Sequence, residues 1–172
     1  MRCPQCGEEH DLSEMEPAYA YPDAYLAIPA GERGDRAFVS TSRDLCVIRE
    51  RDDRPREHYL RTVMPVPVRG EEIPCNWGVW VLVSETDFVR VLELWNDDEQ
   101  SREPSFRVAL ANDIVEYRPC LGLPGRLQLT GPKTRPSFAL HPGIDHDLVR
   151  VQRDGVQLEQ AAEWLARRAH GG

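Results

Sequence analysis

The chain is nearly devoid of lysine: 20 of its 21 basic residues are arginine and Lys133 is the single exception. It lacks net positive charge as well, since 29 acidic side chains leave it at −8. That sign repels phosphate backbones, so nucleic acid is excluded as an expected partner. No long apolar run is present; the longest, WGVWVLV over residues 77–83, is far too short to span a bilayer. A charged start followed by an apolar stretch and a small-residue cleavage site is also missing. The expectation is a cytoplasmic protein that does not engage a membrane. G-x-S-x-G, Walker, dinucleotide-glycine and H-E-x-x-H motifs are absent, which removes the signatures of the common hydrolases, nucleotide binders and zincins. The five cysteines, Cys3, Cys6, Cys46, Cys75 and Cys120, are odd in number. Without an export signal they argue for thiols that are buried, reactive or metal-bound rather than for a disulfide framework.

What is present suits one globular domain. The 172 residues are 41% hydrophobic and 29% charged, ordinary values for a soluble fold, and a chain of this size buries about two-thirds of its unfolded surface. The first ten residues, MRCPQCGEEH, are unusual. In Cys-Pro-x-Cys-Gly the two-residue spacing turns both sulfurs toward one ion, proline sets the turn, and glycine permits the positive φ that follows. A redox C-x-x-C opens a helix after a strand, and no residues upstream of Cys3 supply one. Zinc is the expected ion, one per chain and structural, because it suits soft thiolates with imidazole. His10 is placed to be the third ligand. The fourth must come from a distance. Cys46 is the first choice, since it lies in a predicted strand that can anchor the N-terminal loop, although a small buried core residue is an equal reading. Cys75 and Cys120 adjoin the turn-forming Pro74 and Pro119 and are less favoured.

Periodicity supplies the elements. One short helix is expected between Pro22 and Pro29. RDLCVIRE (43–50) alternates as a strand, with Cys46 and Ile48 on one face. HYLRTVMPVPV (58–68) follows as a second, its prolines placing its end at an edge or bulge. NWGVWVLVS (76–84) is apolar on both faces and should be central, with Trp77, Val79, Val81 and Val83 opposed to Trp80 and Leu82. Ser84 and Asp87 form a variant capping box ahead of a helix whose stripe is Phe88, Val91, Leu92 and Trp95. FRVALAND is strand or short helix, and residues 125–140 read as a hairpin with GPKTRP as its loop. A short helix closed by Gly155 in the left-handed region precedes a tail helix with Leu158, Ala161, Ala162 and Leu165 on one face. The fold class expected is α+β: a single domain over residues 1–172, a largely antiparallel sheet with flanking helices, and residues 1–12 as a zinc-knuckle loop packed on the main body.

Other polar groups invite chemistry. His141, Asp145, His146 and Asp147 can form a metal or acid–base cluster, though a helix cap at Asp145 explains the same residues. Arg61, inside an apolar strand, can bind an anion or pair with a carboxylate. Trp77 and Trp80 can line a pocket or fill the core. Between Tyr117 and Ile144 there are four basic residues, Arg118, Arg126, Lys133 and Arg135, and no acidic one. That asymmetry fits an acidic ligand or a solvated hairpin face.

The order of CPQCGEEH, GERGDR, RDLCVI, YLR, WGVWVLVSETDF and HDLVRVQRDGV resembles the uncharacterised bacterial family known as domain of unknown function 2199. The resemblance implies that Cys3, Cys6, His10 and Cys46 belong to the family pattern, that Cys75 and Cys120 are particular to this chain, and that Arg61, His146 and Gln152 are matching positions. The second half departs from it: RVALAND stands where a G-W-L-x-N segment is expected. The family brings no established activity. The expectation is a non-enzymatic, zinc-stabilised domain that binds a protein partner or a small ligand. The alternatives are a hydrolase-like metalloenzyme with an open zinc position and an immunity-type protein binding a basic partner.

Overall fold

The structure, a computed structural model, describes residues 17–50 and 55–170, the last six by backbone alone. Seven strands follow one another in space as in sequence: β1 (Ala37–Val39), β2 (Leu45–Ile48), β3 (Glu57–Val66), β4 (Cys75–Val83), β5 (Phe106–Leu110), β6 (Pro124–Gln128) and β7 (Ser137–Leu140). All six successive pairings are antiparallel, and a parallel contact between β3 and β7, Val63 opposite Ser137, joins the ends. Strands β3 to β7 therefore close into a mixed five-stranded barrel, with β1 and β2 as an extension. The sheet is largely antiparallel as expected, and its closure into a barrel goes beyond that expectation.

One edge of β3 makes that closure possible by changing partner along its length. Arg61 N donates to Asp44 O (2.9 Å) at the end of the β2 pairing, and Val63 N donates to Pro136 O (2.9 Å) at the start of β7. Further on, Pro67 O accepts from Val156 N (2.9 Å). Pro65 and Pro67 thus fall on the edge where pairing is intermittent, as a residue without an N–H requires.

The alternation of β4 divides the core in two. Trp77, Val79, Val81 and Val83 join Leu60, Met64, Val108, Leu127 and Phe138 in the main core, while Trp80 sits on the opposite face with Cys46, Ile48, Tyr59 and Ile28. Leu82, expected to be covered on that second face, is 37% exposed.

Five α-helices, besides three single-turn 3-10 helices, complete the described chain: α1 (Asp23–Leu26), α2 (Arg33–Arg36), α3 (Glu85–Leu94), α4 (Asp147–Asp154) and α5 (Leu158–His170). Ser84 Oγ accepts from Asp87 N (3.1 Å) and caps α3. The buried row of α3 is Phe88, Val91 and Leu94, with Leu92 at 40% exposure. Of the expected stripe, Phe88, Val91 and the partly buried Trp95 pack on the main core, while Leu92 turns to solvent. FRVALAND resolves as β5. Gly155 ends α4 with φ 74° and ψ 173°, positive but not left-handed helical as expected. An added Cβ there would lie 2.8 Å from Pro67 O, so the turn that brings Val156 against β3 needs glycine. In α5, Ala161 and Ala162 are buried as expected. Trp164, at 1% exposure, carries the contact and meets Trp77 edge-on with ring centroids 5.1 Å apart.

Candidate functional site

Register decides which predicted residues meet. Cys46 lies opposite Tyr59, Arg61 opposite Trp80, and Val63 opposite Gly78. Side chains of one strand alternate faces, so Cys46, Tyr59, Arg61, Trp80 and the bare Gly78 share the face away from the main core. The segment from Pro17 to Ile28 covers this far face. Gly78 N donates to Pro17 O and Tyr19 N to Gly78 O, each at 2.8 Å, and the Trp80 indole donates to Tyr19 O at 3.1 Å. A Cβ on Gly78 would lie 2.9 Å from the Ala18 Cβ and 3.7 Å from the Arg61 guanidinium. Glycine lets the segment approach.

Three of the predicted residues therefore gather in one place. Cys46 is fully buried among Ile28, Ile48, Tyr59 and Trp80. Burial, with a smaller contribution from the Glu57 carboxylate, pushes its thiol up to about 12. As it stands the sulfur is a neutral core group, and a thiolate there would need the charge of a metal to offset its desolvation. Arg61 is half-buried beside Gly78. Trp80 is wholly buried, its indole N–H satisfied as above. Cys3, Cys6 and His10, the remaining proposed ligands, lie outside the described residues. Among the described residues no three His, Cys, Asp or Glu side chains form a metal-holding group.

The other predicted residues stand elsewhere. Trp77 lies on the main-core face at 1% exposure. His146 is the N-cap of α4, the place expected for Asp145: its Nδ1 accepts from Leu148 N (3.0 Å). An accepting Nδ1 assigns the ring proton to Nε2, which meets Pro119 O at 3.1 Å. Asp145 instead pairs with Arg150, as does Asp147. His141 accepts from Gly143 N (3.1 Å) within its own turn. Of the less favoured cysteines, Cys120 is buried, with its sulfur accepting from Ile114 N (3.0 Å) and its thiol raised to about 12 mainly by burial.

Two organising residues had weak signals. Asn112, fully buried, accepts from Trp80 N (2.8 Å) and donates to Tyr21 O and Asp23 Oδ1 (3.0 Å each), and Asp23 in turn accepts from Asp113 N (2.8 Å). It takes over the β4 edge where β5 stops and fastens the covering segment to it. In sequence Asn112 is one polar residue in a segment that reads equally as strand or short helix, and such a residue carries no signal of this role. Gln152, a matching position in the resemblance, donates to Phe138 O (2.9 Å) and accepts from Leu140 N (2.8 Å). Its amide pairs with the free edge of β7.

No helix among the described residues is long and apolar enough to cross a membrane. No curated protein and no solved structure shows significant similarity to the chain. The family model described as "Uncharacterized protein conserved in bacteria (DUF2199)" matches residues 2–156, from the first cysteine pair to the Val156 that bridges Val68 just past β3, and the chain belongs to that family.

Proposed function

We propose that this protein is a binding domain rather than a catalyst, taking a small ligand or a protein partner, and that one structural zinc held by Cys3, Cys6, His10 and Cys46 clasps its N-terminus to the far face. The observation carrying the first half is the commitment of His146: both ring nitrogens meet backbone groups, and the ring is used as a helix cap and a loop tie. A general base needs a nitrogen available to substrate. The Cys46 sulfur is sealed in an apolar cluster, so whether free or bound to zinc it is no accessible, activated nucleophile.

Chain length supports the zinc half. Pro17 is fastened at Gly78, and the Gly78 row lies two side-chain rows from the Cys46 row, about 13 Å along β3. The seven residues from His10 to Pro17 reach up to roughly 23 Å when extended, enough to bring the knuckle to Cys46. Four protein ligands would make a closed site, whose binding free energy is folding free energy.

The test is metal content with stability on the full chain. About one zinc per chain is expected, with Cys3→Ser, Cys6→Ser and Cys46→Ser each lowering zinc content, and chelation lowering the melting temperature. Because Cys46→Ser also disturbs a buried position, Cys46→Val serves as a second variant: it should keep the core filled yet still lose zinc. A zinc-free protein with an unchanged melting temperature would remove the clasp, and zinc-dependent turnover abolished by His146→Gln would remove the binding-only reading.

A further inference from the structure

Where β3 passes from β2 to β7, the strands flanking it part. The opening there is a cleft of about 750 Å³ whose walls include Val63, Pro65, Asn76, Trp95, Lys133 and Arg135. Its volume is that of a small-molecule site. Its chemistry is divided: Val63, Pro65 and the half-buried Trp95 make an apolar wall, while the β6–β7 loop brings the only lysine of the chain to the other side. Arg135 is held by Asp44, Nε to Oδ1 at 2.9 Å, so that pair is neutral and positions the rim. Lys133 then leaves the lining with net positive charge, in a protein of charge −8. Two other clefts differ. The one beside Glu71, Glu72 and Arg153 is net negative, and the one beside Arg56, Glu57, Glu85 and Arg107 is balanced.

We propose that this cleft binds a small organic anion, a carboxylate or a phosphate monoester, with its charged group at Lys133 and its apolar body against Trp95 and Pro65. The inference rests on the reading of the protein as a binding domain and names the ligand class for it. Thr130 and Thr134 fit the assignment. Their hydroxyls face backbone oxygens, Thr130 Oγ1 to Arg135 O and Thr134 Oγ1 to Gly131 O at 3.1 Å each, which stiffens the loop that carries Lys133. A preformed loop spends less ordering entropy on its ligand. The loop also lies in the stretch from Tyr117 to Ile144 that holds four basic residues and no acidic one, so no nearby carboxylate in sequence competes for the lysine.

The test is a titration of the ¹⁵N-labelled full chain with phenyl phosphate and with benzoate, followed by amide and indole shifts. Saturable shifts confined to Asp44, Asn76, Trp95 and residues 130–137 are expected, with affinity at least tenfold above that for neutral benzyl alcohol. Lys133→Gln should weaken both anions about tenfold, and Lys133→Arg should restore most of the loss. Inorganic phosphate should bind at least tenfold more weakly than phenyl phosphate, because it cannot use the apolar wall. Equal binding of benzyl alcohol, equal binding of inorganic phosphate, or an unchanged affinity in Lys133→Gln would each overturn the proposal. Preference for one anion over the other identifies the source. Release of inorganic phosphate from phenyl phosphate would overturn the binding-only reading while leaving the site in place, whereas absent binding in a zinc-loaded, catalytically silent protein would overturn the site alone.

Discussion

The carboxamide of Gln152 stands where the peptide of Pro65 would complete the barrel. Val63 opposes Ser137 in parallel, with Val63 N donating to Pro136 O. One step along such a ladder, the nitrogen of Pro65 would face Phe138 O and the carbonyl of Pro65 would face Leu140 N. Proline has no hydrogen to give. Gln152 instead donates to Phe138 O at 2.9 Å and accepts from Leu140 N at 2.8 Å, so one side chain on α4 supplies both halves of the missing pair. Helix α4 is thereby part of the barrel wall, and Val156 resumes backbone pairing just beyond it.

Removing that amide should loosen the seam. Gln152→Ala forfeits two hydrogen bonds at a half-buried position, a loss of about 1–3 kcal/mol. Gln152→Glu, closer in size, should cost at least as much, because a carboxylate oxygen then opposes Phe138 O. Urea denaturation gives the first comparison. Amide hydrogen exchange at Leu140 gives the second and should accelerate in both variants; a Glu variant as stable as the parent at neutral pH would show that the amide is not paired in this way.

Asn112 should be the most sensitive polar position of the far face. It is fully buried and serves Trp80 N, Tyr21 O and Asp23 Oδ1 together. Asn112→Ala leaves at least one buried donor and one acceptor unsatisfied, for roughly 2–4 kcal/mol. Asn112→Asp keeps an acceptor for Trp80 N but sets a carboxylate against Asp23, so it should not rescue. The readouts are the denaturation midpoint and the susceptibility of the segment before α1 to limited proteolysis. If the midpoint falls with no new cleavage between residues 17 and 28, the network stabilises the barrel without fastening the segment.

Gly125 faces a tighter restriction than any turn imposes. It sits inside β6 opposite Leu140, and an added Cβ would lie 2.4 Å from both Ala139 O and the Phe138 ring. Neither neighbour can withdraw: one is backbone, the other a fully buried ring. Gly125→Ala should therefore cost about 3 kcal/mol, at the upper end for overpacking, whereas Gly34→Ala, which meets open space in α2, should change the melting temperature little. Similar losses for the two would refute the close approach.

Local signals made much of this fold readable in the sequence. Strand alternation sets Cys46 with Ile48 on one face of β2 and Trp77 opposite Trp80 on β4, because the side-chain period of a strand is set by its own backbone. Ser84 announced α3 because a cap is a contact across three residues. Closure was not readable: a parallel pairing such as Val63 with Ser137 has no connecting turn to advertise it. The same holds for the partners of His146 and Gln152. His146 bonds Pro119 O and Gln152 bonds β7, so their roles as cap and substitute peptide depend on segments that only the closed barrel brings near. The gathering of Cys46, Arg61 and Trp80 followed once the β2–β3–β4 register was fixed, and register is what alternation alone leaves open.

His58 should give the fold an acid-sensitive step. Its ring is buried at the start of β3, packed on Phe88 with centroids 4.9 Å apart. Burial lowers its pKa below the usual 6.5, with Arg56 adding to the fall and Glu85 opposing it. In the unfolded chain the imidazole takes its proton near the ordinary value. Above that value both states are neutral and His58 contributes no pH dependence. As the pH falls below about 6.5, the unfolded state binds the proton first, so stability declines until the folded-state pKa is reached. His58→Phe preserves the ring contact with Phe88 and removes the titration. Its melting temperature should fall less than that of the parent between pH 7 and pH 5, with the two curves running parallel above pH 7. Equal slopes through the acid window would mean that the decline belongs to carboxylates instead.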